Sequence, residues 1–321
     1  MRRWRDVKST GGWFPHRRTL LQGLAGLAMV TGSKADAAAP GTFLAIGDWG
    51  REGQQHQTDV ARAMAQAAEE IGSRFVISTG DNFYPSGVTS VTDRQWKTSF
   101  EDIYTGPGLQ TPWYVALGNH DYRGSAQAQV DYSLISDRWK MPDRYFAVTG
   151  VESGIPQLDT FYIDTTAMVS SWSEWLADAG KGRRPPHDLQ KQLGWLDSAL
   201  ARSNAECKIV VGHHPVFSGG RHGDTPELIQ WVQPLLEKHK VQAYINGHDH
   251  ILQHIRRGRV DYICSGSGAS AGMAKSVEGS AFKSSSAGFA TFACVGGSLQ
   301  LGFRNFAGMV LYQTTLEPPR D

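Results

Sequence analysis

Short apolar runs recur along the chain, and five of them end in the same way. Residues 42–46 run into Gly47-Asp48-Trp49-Gly50, 75–79 into Gly80-Asp81-Asn82-Phe83-Tyr84, and 113–117 into Gly118-Asn119-His120-Asp121. Further on, 208–211 run into Gly212-His213-His214-Pro215, and 243–246 into Gly247-His248-Asp249-His250. Short runs rich in β-branched residues and closed by glycine predict buried strands. Between them, 57–71, 93–104, 189–203 and 227–239 are helix-like. Strands alternating with helices predict βαβ units and a largely parallel sheet. In open α/β sheets ligands bind beyond the carboxyl ends of the strands. All five polar clusters lie there, so the pattern predicts their convergence on one site.

The tail differs. Segments 262–264, 289–295, 299–304 and 310–315 are short and apolar, with Gly-rich turns and no helices between them. They predict antiparallel strands completing a second sheet. Segments 180–188 and 266–279 read as exposed loops.

Composition narrows the class. Of 321 residues, 40% are apolar and 20% charged, which excludes a disordered or fibrous chain and allows a sizeable core. Lys plus Arg at 32 against Asp plus Glu at 31 argues against a nucleic-acid binder. The balance hides an asymmetry: Arg2, Arg3, Arg5, Lys8, Arg17, Arg18 and Lys34 face only Asp6 and Asp36 within 1–39, leaving the body from 40 onward mildly acidic. Arg17-Arg18, a short Gly- and Ala-diluted apolar run to Val30, then Lys34 and the small residues Ala35 to Ala39 resemble a twin-arginine export signal. The rival readings are an ordinary secretory peptide or a basic tail. The apolar run is too short for a membrane helix, and no other segment is long and apolar enough. The expected organisation is an export signal at 1–39 and one domain at 40–321, delivered by twin-arginine machinery to the periplasm or the exterior. Cys207, Cys264 and Cys294 are widely spaced and odd in number, so buried thiols are expected rather than a disulfide framework.

Taken singly, an Asp after a strand reads as a helix cap and a lone His as a structural residue. Five strand ends presenting Asp, Asp and Tyr, Asn and His, His, and His-x-His are a different matter. So many carboxylates and imidazoles gathered together would repel or stay unsatisfied without a cation. Metal binding is the economical account.

Asp48-x-Gly50, Gly80-Asp81-x-x-Tyr84, Gly118-Asn119-His120-Asp121, Val210-x-x-His213 and Gly247-His248-x-His250 resemble the five motifs of the purple acid phosphatases, in the family's order. The stretches His213-His214-Pro215-Val216, followed by His222, and Gly247 to Gln253 resemble the small, single-domain, tartrate-resistant type. The resemblance implies a four-layer αββα sandwich of the metallophosphoesterase type, with two mixed sheets flanked by helices. It implies that Asp48, Tyr84 and His250 hold Fe(III), that Asn119, His213 and His248 hold a divalent Fe, Zn or Mn, and that Asp81 bridges them. It further implies that Asn119, His120 and His222 contact phosphate, the two histidines acting in catalysis, and that a metal-bound hydroxide attacks a phosphomonoester without a phosphoenzyme.

The donor set is chemically coherent with that assignment. Hard oxygens of Asp48 and Tyr84 suit a trivalent ion, and imidazole with amide suits a borderline divalent one. Gly50 and Tyr84 stand where many dimetal phosphoesterases carry Asp-x-His and no tyrosine, favouring the purple branch. His214 departs from the aromatic residue common there in small phosphatases. Asp121 is expected to orient His120, and Asn82, Phe83, Trp49 and Tyr122 to line the mouth. The expected protein is an exported, monomeric acid phosphatase. Rival readings are a phosphodiesterase or nucleotide pyrophosphatase on the same scaffold, and a non-catalytic metal- or phosphate-binding envelope protein.

Overall fold

The computed structural model describes residues 41–170 and 188–319. The export signal expected at 1–39, and all of the 180–188 loop except Asp188, lie outside the described residues. In chain order the strands are β1 (Gly41–Ile46), β2 (Val76–Ser78), β3 (Trp113–Val115), β4 (Trp139–Lys140), β5 (Phe146–Val148), β6 (Leu158–Tyr162) and β7 (Cys207–Val211). They continue as β8 (Ala243–Asn246), β9 (Leu252–Arg257), β10 (Val260–Ser265), β11 (Ser280–Ser284), β12 (Gly288–Val295), β13 (Ser298–Asn305) and β14 (Val310–Leu316). One seven-stranded sheet runs β14-β13-β12-β1-β2-β3-β4, the other β11-β9-β10-β8-β7-β6-β5.

The parallel pattern is present but divided. β1 to β4 form a parallel block in the first sheet, and β6, β7, β8 and β10 another in the second. The tail corrects the sequence expectation: only 262–264, within β10, joins the second sheet. β12, β13 and β14 extend the first sheet antiparallel to β1. The reason is side-chain packing across the pair. β1 aligns Phe43 with Phe292, and the Phe43 ring stacks on both Phe292 and Phe75 at 4.8 Å. Strands β4, β5, β6, β9 and β11 lack the glycine-closed apolar run that marks the predicted strands, so the sequence pattern does not predict them.

Period-two alternation sets the layers. In the second sheet Ile209, Val211, Ala243, Ile245 and Ile263 pack into the core shared with the first sheet. Val210, Tyr244 and Tyr262 point the other way, onto Leu196, Leu200, Leu228 and Leu236. Those leucines belong to helices on the outer face. On the first sheet, helix α1 (Gln57–Ile71) buries Val60, Met64, Ala67 and Ala68 at helical spacing and stops at Gly72, whose φ of 68° is a left-handed cap.

Two predicted helices change form. Segment 93–104 contains only a π-helical turn at Trp96–Glu101, which buries Trp96 and Phe100 in an aromatic cluster with Trp113 and Trp139. Segment 227–239 is two helices, Pro226–Trp231 and Gln233–Lys238, meeting at Val232. Pro234 lacks an N–H and its ring crowds the preceding turn, so one helix cannot run through. Segment 266–279 is not wholly exposed: Ser267 and Ala269 are buried, and the Gly268 N–H donates to the Gly47 carbonyl at 3.0 Å.

All three cysteines are buried thiols. Cys207 on β7 and Cys294 on β12 face each other across the seam between the sheets, Sγ to Sγ 3.2 Å. Among the described residues no helix is long and apolar enough to cross a membrane.

Candidate metal centre

The five strand ends converge. β1 delivers Asp48, β2 delivers Asp81 and Tyr84, β3 delivers Asn119 and His120, β7 delivers His213, and β8 delivers His248 and His250. Three of these residues sit in left-handed backbone: Asp48 at φ 60°, Asp81 at 50° and His248 at 68°. For a residue with a Cβ that costs about 1–2 kcal/mol each, the kind of strain kept at functional sites. The strand-end glycines permit the close approach. A Cβ at Gly118 would lie 2.2 Å from Asp81 Oδ1, and one at Gly50 would lie 2.0 Å from the Asn82 carbonyl oxygen. The second clash means that no side chain, histidine included, fits at position 50 with the backbone as it stands.

The expected ligands form one contiguous cluster with two lobes. In the first, the Tyr84 hydroxyl lies 2.9 Å from Asp48 Oδ1, 2.9 Å from Asp81 Oδ2 and 3.1 Å from His250 Nε2. In the second, His213 Nε2 lies 3.1 Å from Asn119 Oδ1 and 3.2 Å from His248 Nδ1. Asp81 joins them: Oδ2 faces Tyr84 and Oδ1 lies 3.4 Å from His213 Nε2. Asp48, Asp81 and His213 are all buried and offer ligand atoms within 4.8 Å of one another.

The protonation preferences of this cluster point to a cation. Burial, then the Asp48 and Asp81 carboxylates, push the Tyr84 phenol well above its ordinary value. Burial would also raise Asp81, but the His213 imidazolium beside it overrides this and holds the carboxyl low. Burial alone would lower His213, yet Asp81 pushes it up to about 9. His248, buried among other imidazoles, is pushed well below its usual value. Without a metal, protons must hold these groups together. The oxygen-rich lobe and the imidazole-rich lobe fit the dimetal centre that the family implies.

Groups outside the ligand set orient it, and the motifs did not reveal most of them. The Thr79 carbonyl at 3.0 Å accepts from His213 Nδ1, turning Nε2 inward. Ser270 Oγ lies 3.0 Å from His250 Nδ1. Such partners fix the ring and its tautomer. Ser270 lies in a segment that reads as a loop, so no motif marks it.

His120 packs on the Tyr84 ring at 4.4 Å, with Nε2 3.9 Å from Asp81. Its Nδ1 donates to the Pro85 carbonyl at 2.7 Å, so Pro85 and not Asp121 orients the ring. Asp121 is instead a buried scaffold group accepting from the Gly118 and Asn82 amides. Burial, then repulsion from Asp81, push it up to about 7. His222 is exposed and packs against His248 with the rings tilted and 4.2 Å apart, its amide donating to Asp249 Oδ1. Together with Arg221, His250 and Met273 it lines a cleft of about 170 Å³ over the cluster. Asn82, Phe83 and Trp49 do not line that mouth: all three are fully buried, linked through Ser78 or packed ring on ring. Tyr122 is half-buried and bonded to Asp164.

His214 is 2% exposed and has a ring nitrogen within 4.8 Å of His213 and His248. One hydroxyl decides its state. Thr165 Oγ1 accepts the His213 and His214 amides at 3.2 and 3.0 Å and lies 2.9 Å from His214 Nδ1. Amides only donate, so they take both lone pairs and the hydroxyl proton goes to Nδ1. The proton of the imidazole therefore sits on Nε2, which leaves that atom no lone pair for a metal. His214 packs beside the centre without joining it.

The calcineurin-like phosphoesterase family model matches residues 41–252. Purple acid phosphatase 4 of Arabidopsis thaliana is 42% identical over 242 residues, spanning 72% of this chain and 68% of that protein. Tartrate-resistant acid phosphatase type 5 of Homo sapiens is 36% identical over 254 residues, spanning 75% and 77%. Among solved structures, GAP50, described as the anchor in the inner membrane complex of Plasmodium, superposes with a TM-score of 0.75 at 25% identity over 88% of this chain and 90% of that one. The yellow lupin purple acid phosphatase PPD1 shares the fold, with a TM-score of 0.62 at 16% identity over 87% of this chain and 54% of that one. With the family model covering most of the chain and close relatives matched along most of their own length, this chain belongs to the calcineurin-like phosphoesterases and, within them, to the purple and tartrate-resistant acid phosphatases, a class of dimetal hydrolases.

Proposed function

We propose that the protein is an exported acid phosphatase that hydrolyses small phosphomonoesters at an Fe(III)–M(II) centre, M being Fe, Zn or Mn. The observation that carries this reading is the Tyr84 hydroxyl, held 2.9 Å from each of two buried carboxylates and 3.1 Å from an imidazole. A phenol so placed ionises only against a highly charged cation, which selects iron(III) for Asp48, Tyr84 and His250. Asn119, His213 and His248 would hold the divalent ion, and Asp81 would bridge. The metal pair supplies the positive charge that binds a phosphate dianion and activates water at low pH.

The chain's own residues do the rest. His120, its Nδ1 fixed by Pro85, presents Nε2 on the Asp81 side, where it can donate to a phosphoryl oxygen. Burial holds His120 below its ordinary value although Asp81 opposes this, so its protonated form belongs to acid conditions. His222, at the cleft mouth, would protonate the leaving alkoxide. The twin-arginine-like leader supports export, because that route carries folded proteins with metals already bound.

Likeness to an anchor protein of the same fold favours one second reading, a binding protein without turnover. Comparing a phosphomonoester with a diester and with bound inorganic phosphate separates turnover from binding, and monoesterase from diesterase. The decisive test is the visible spectrum of the protein purified in air, beside Tyr84→Phe. A charge-transfer band present in the parent and absent in the variant supports the iron–phenolate assignment. A colourless, metal-loaded parent overturns it and moves the diesterase reading forward.

A further inference from the structure

Arg51 follows the first motif directly and belongs to none of the five. Its backbone N–H donates to the Gln57 side chain at 2.8 Å, which fixes where the chain leaves β1. Its side chain turns back over the site: the guanidinium carbon lies 3.7 Å from the centroid of the Tyr84 ring. On the same ring, His120 packs at 4.4 Å. Arg51 is half-buried there, its Nε is shut off from water, and that atom has no hydrogen-bond partner among the described residues. Among the described residues it makes no salt bridge either, although other arginines such as Arg138 and Arg256 are paired with carboxylates. A guanidinium so placed is held against the ring face, where a cation is attracted by π-electron density.

The consequence follows from what the ring becomes. A phenolate is richer in π density than a phenol, so a fixed cation at its face stabilises the filled ring orbitals more strongly. Electrons drawn toward the guanidinium are correspondingly less available to whatever the oxygen binds. We propose that Arg51 is a positioning residue that tunes the electron-donating power of Tyr84 toward the metal in the Asp48–Tyr84–His250 lobe. It touches neither metal nor substrate and acts through the ring. The inference rests on the iron–phenolate reading of the site and adds to it the side chain that sets its strength.

The test is the energy of the charge-transfer band in holoprotein carrying Arg51→Met, Arg51→Gln and Arg51→Lys, with metal content measured on each sample. Removing the charge raises the filled ring orbitals, so Met and Gln should move the band to longer wavelength. The expected shift is on the order of 10 nm, the scale of one cation–π contact against a visible photon. Lys, which keeps a charge but loses the planar guanidinium over the ring, should shift it less. The midpoint potential of the iron should fall in the same order, because a stronger phenolate donor favours the ferric state. Either Met or Gln suffices if the other fails to fold. A band unmoved in metal-replete variants overturns the proposal, as does loss of metal in both, which would make Arg51 an assembly residue. A colourless parent defeats the iron reading itself and this inference with it. A coloured parent with unshifted variants defeats only the inference.

Discussion

The two sheets contribute opposite chemistries to the centre. The strand ends of the first sheet present oxygen donors: Asp48 after β1, Asp81 and Tyr84 after β2, Asn119 after β3. The strand ends of the second present nitrogen donors: His213 after β7, then His248 and His250 after β8. Neither lobe draws on one sheet alone. Tyr84 and Asp48 meet His250, and Asn119 meets His213 and His248. The site exists only where the sheets pack together, and metals bound there would tie one sheet to the other. At the far end of the same seam, the contact is between the buried Cys207 and Cys294 thiols, 3.2 Å apart. One seam thus has a chemically demanding end and an end that is mainly packing.

This contrast can be broken most forcefully at Asp81, whose Oδ2 faces Tyr84 in one lobe and whose Oδ1 faces His213 in the other. Asp81→Ala should empty both metal positions together and lower kcat/KM by at least about a thousandfold, about 4 kcal/mol of transition-state stabilisation. Elemental analysis checks it, and loss of one metal alone would refute the bridging assignment. Ser270→Ala tests whether the lobes are separable. Without the hydroxyl on His250 Nδ1, metal affinity in the tyrosine lobe should weaken by about 10- to 100-fold, with the His213–His248 lobe unchanged. Competition with a chelator, metal by metal, reads this.

A smaller and graded effect should come from pH. Asp81 holds His213 up to about 9, so at neutral pH an incoming divalent ion must displace its proton. Apparent affinity for that ion in the metal-free protein should therefore rise with pH, by about tenfold per unit for one displaced proton, and level off above about 9. Calorimetry in buffers of different ionisation enthalpy counts the protons released. The smallest effect belongs to the far end of the seam. Cys294→Ala removes one buried sulfur, costs about 1 kcal/mol in thermal or denaturant unfolding, and leaves metal content unchanged. A large loss of metal in that variant would mean that the two ends are coupled.

The candidate centre was legible to an unusual degree because Asp48, Asp81, Asn119, His213 and His248 each directly follow a buried strand and a glycine, with Tyr84 and His250 a few residues further on. That local signature needs no knowledge of what lies opposite. Gly50 is an example: its lack of a side chain is visible in the sequence, and the Asn82 carbonyl 2.0 Å from its missing Cβ supplies the cause. Orienting groups were less visible. The Thr79 and Pro85 carbonyls have no side-chain identity to read, and Ser270 sits in a loop where serine is commonplace. Asp121 shows the opposite error: adjacency to His120 suggested a partner, but its carboxylate turns inward to the amides of Gly118 and Asn82.

The sequence alone determined which residues end strands and which faces are apolar, because those properties are local and periodic, and its motifs resemble a family in which two acids, a phenol, an amide and three imidazoles belong together. Tertiary structure decided which sheet received β12, β13 and β14, which oxygen of Asp81 faced which lobe, that the Thr165 hydroxyl keeps His214 out of the ligand set, and that Arg51 lies on Tyr84. Each is a contact between residues chosen by packing and hydrogen-bond geometry across the core. Periodicity tells a residue which way to face, and only the assembled fold tells it what it will meet.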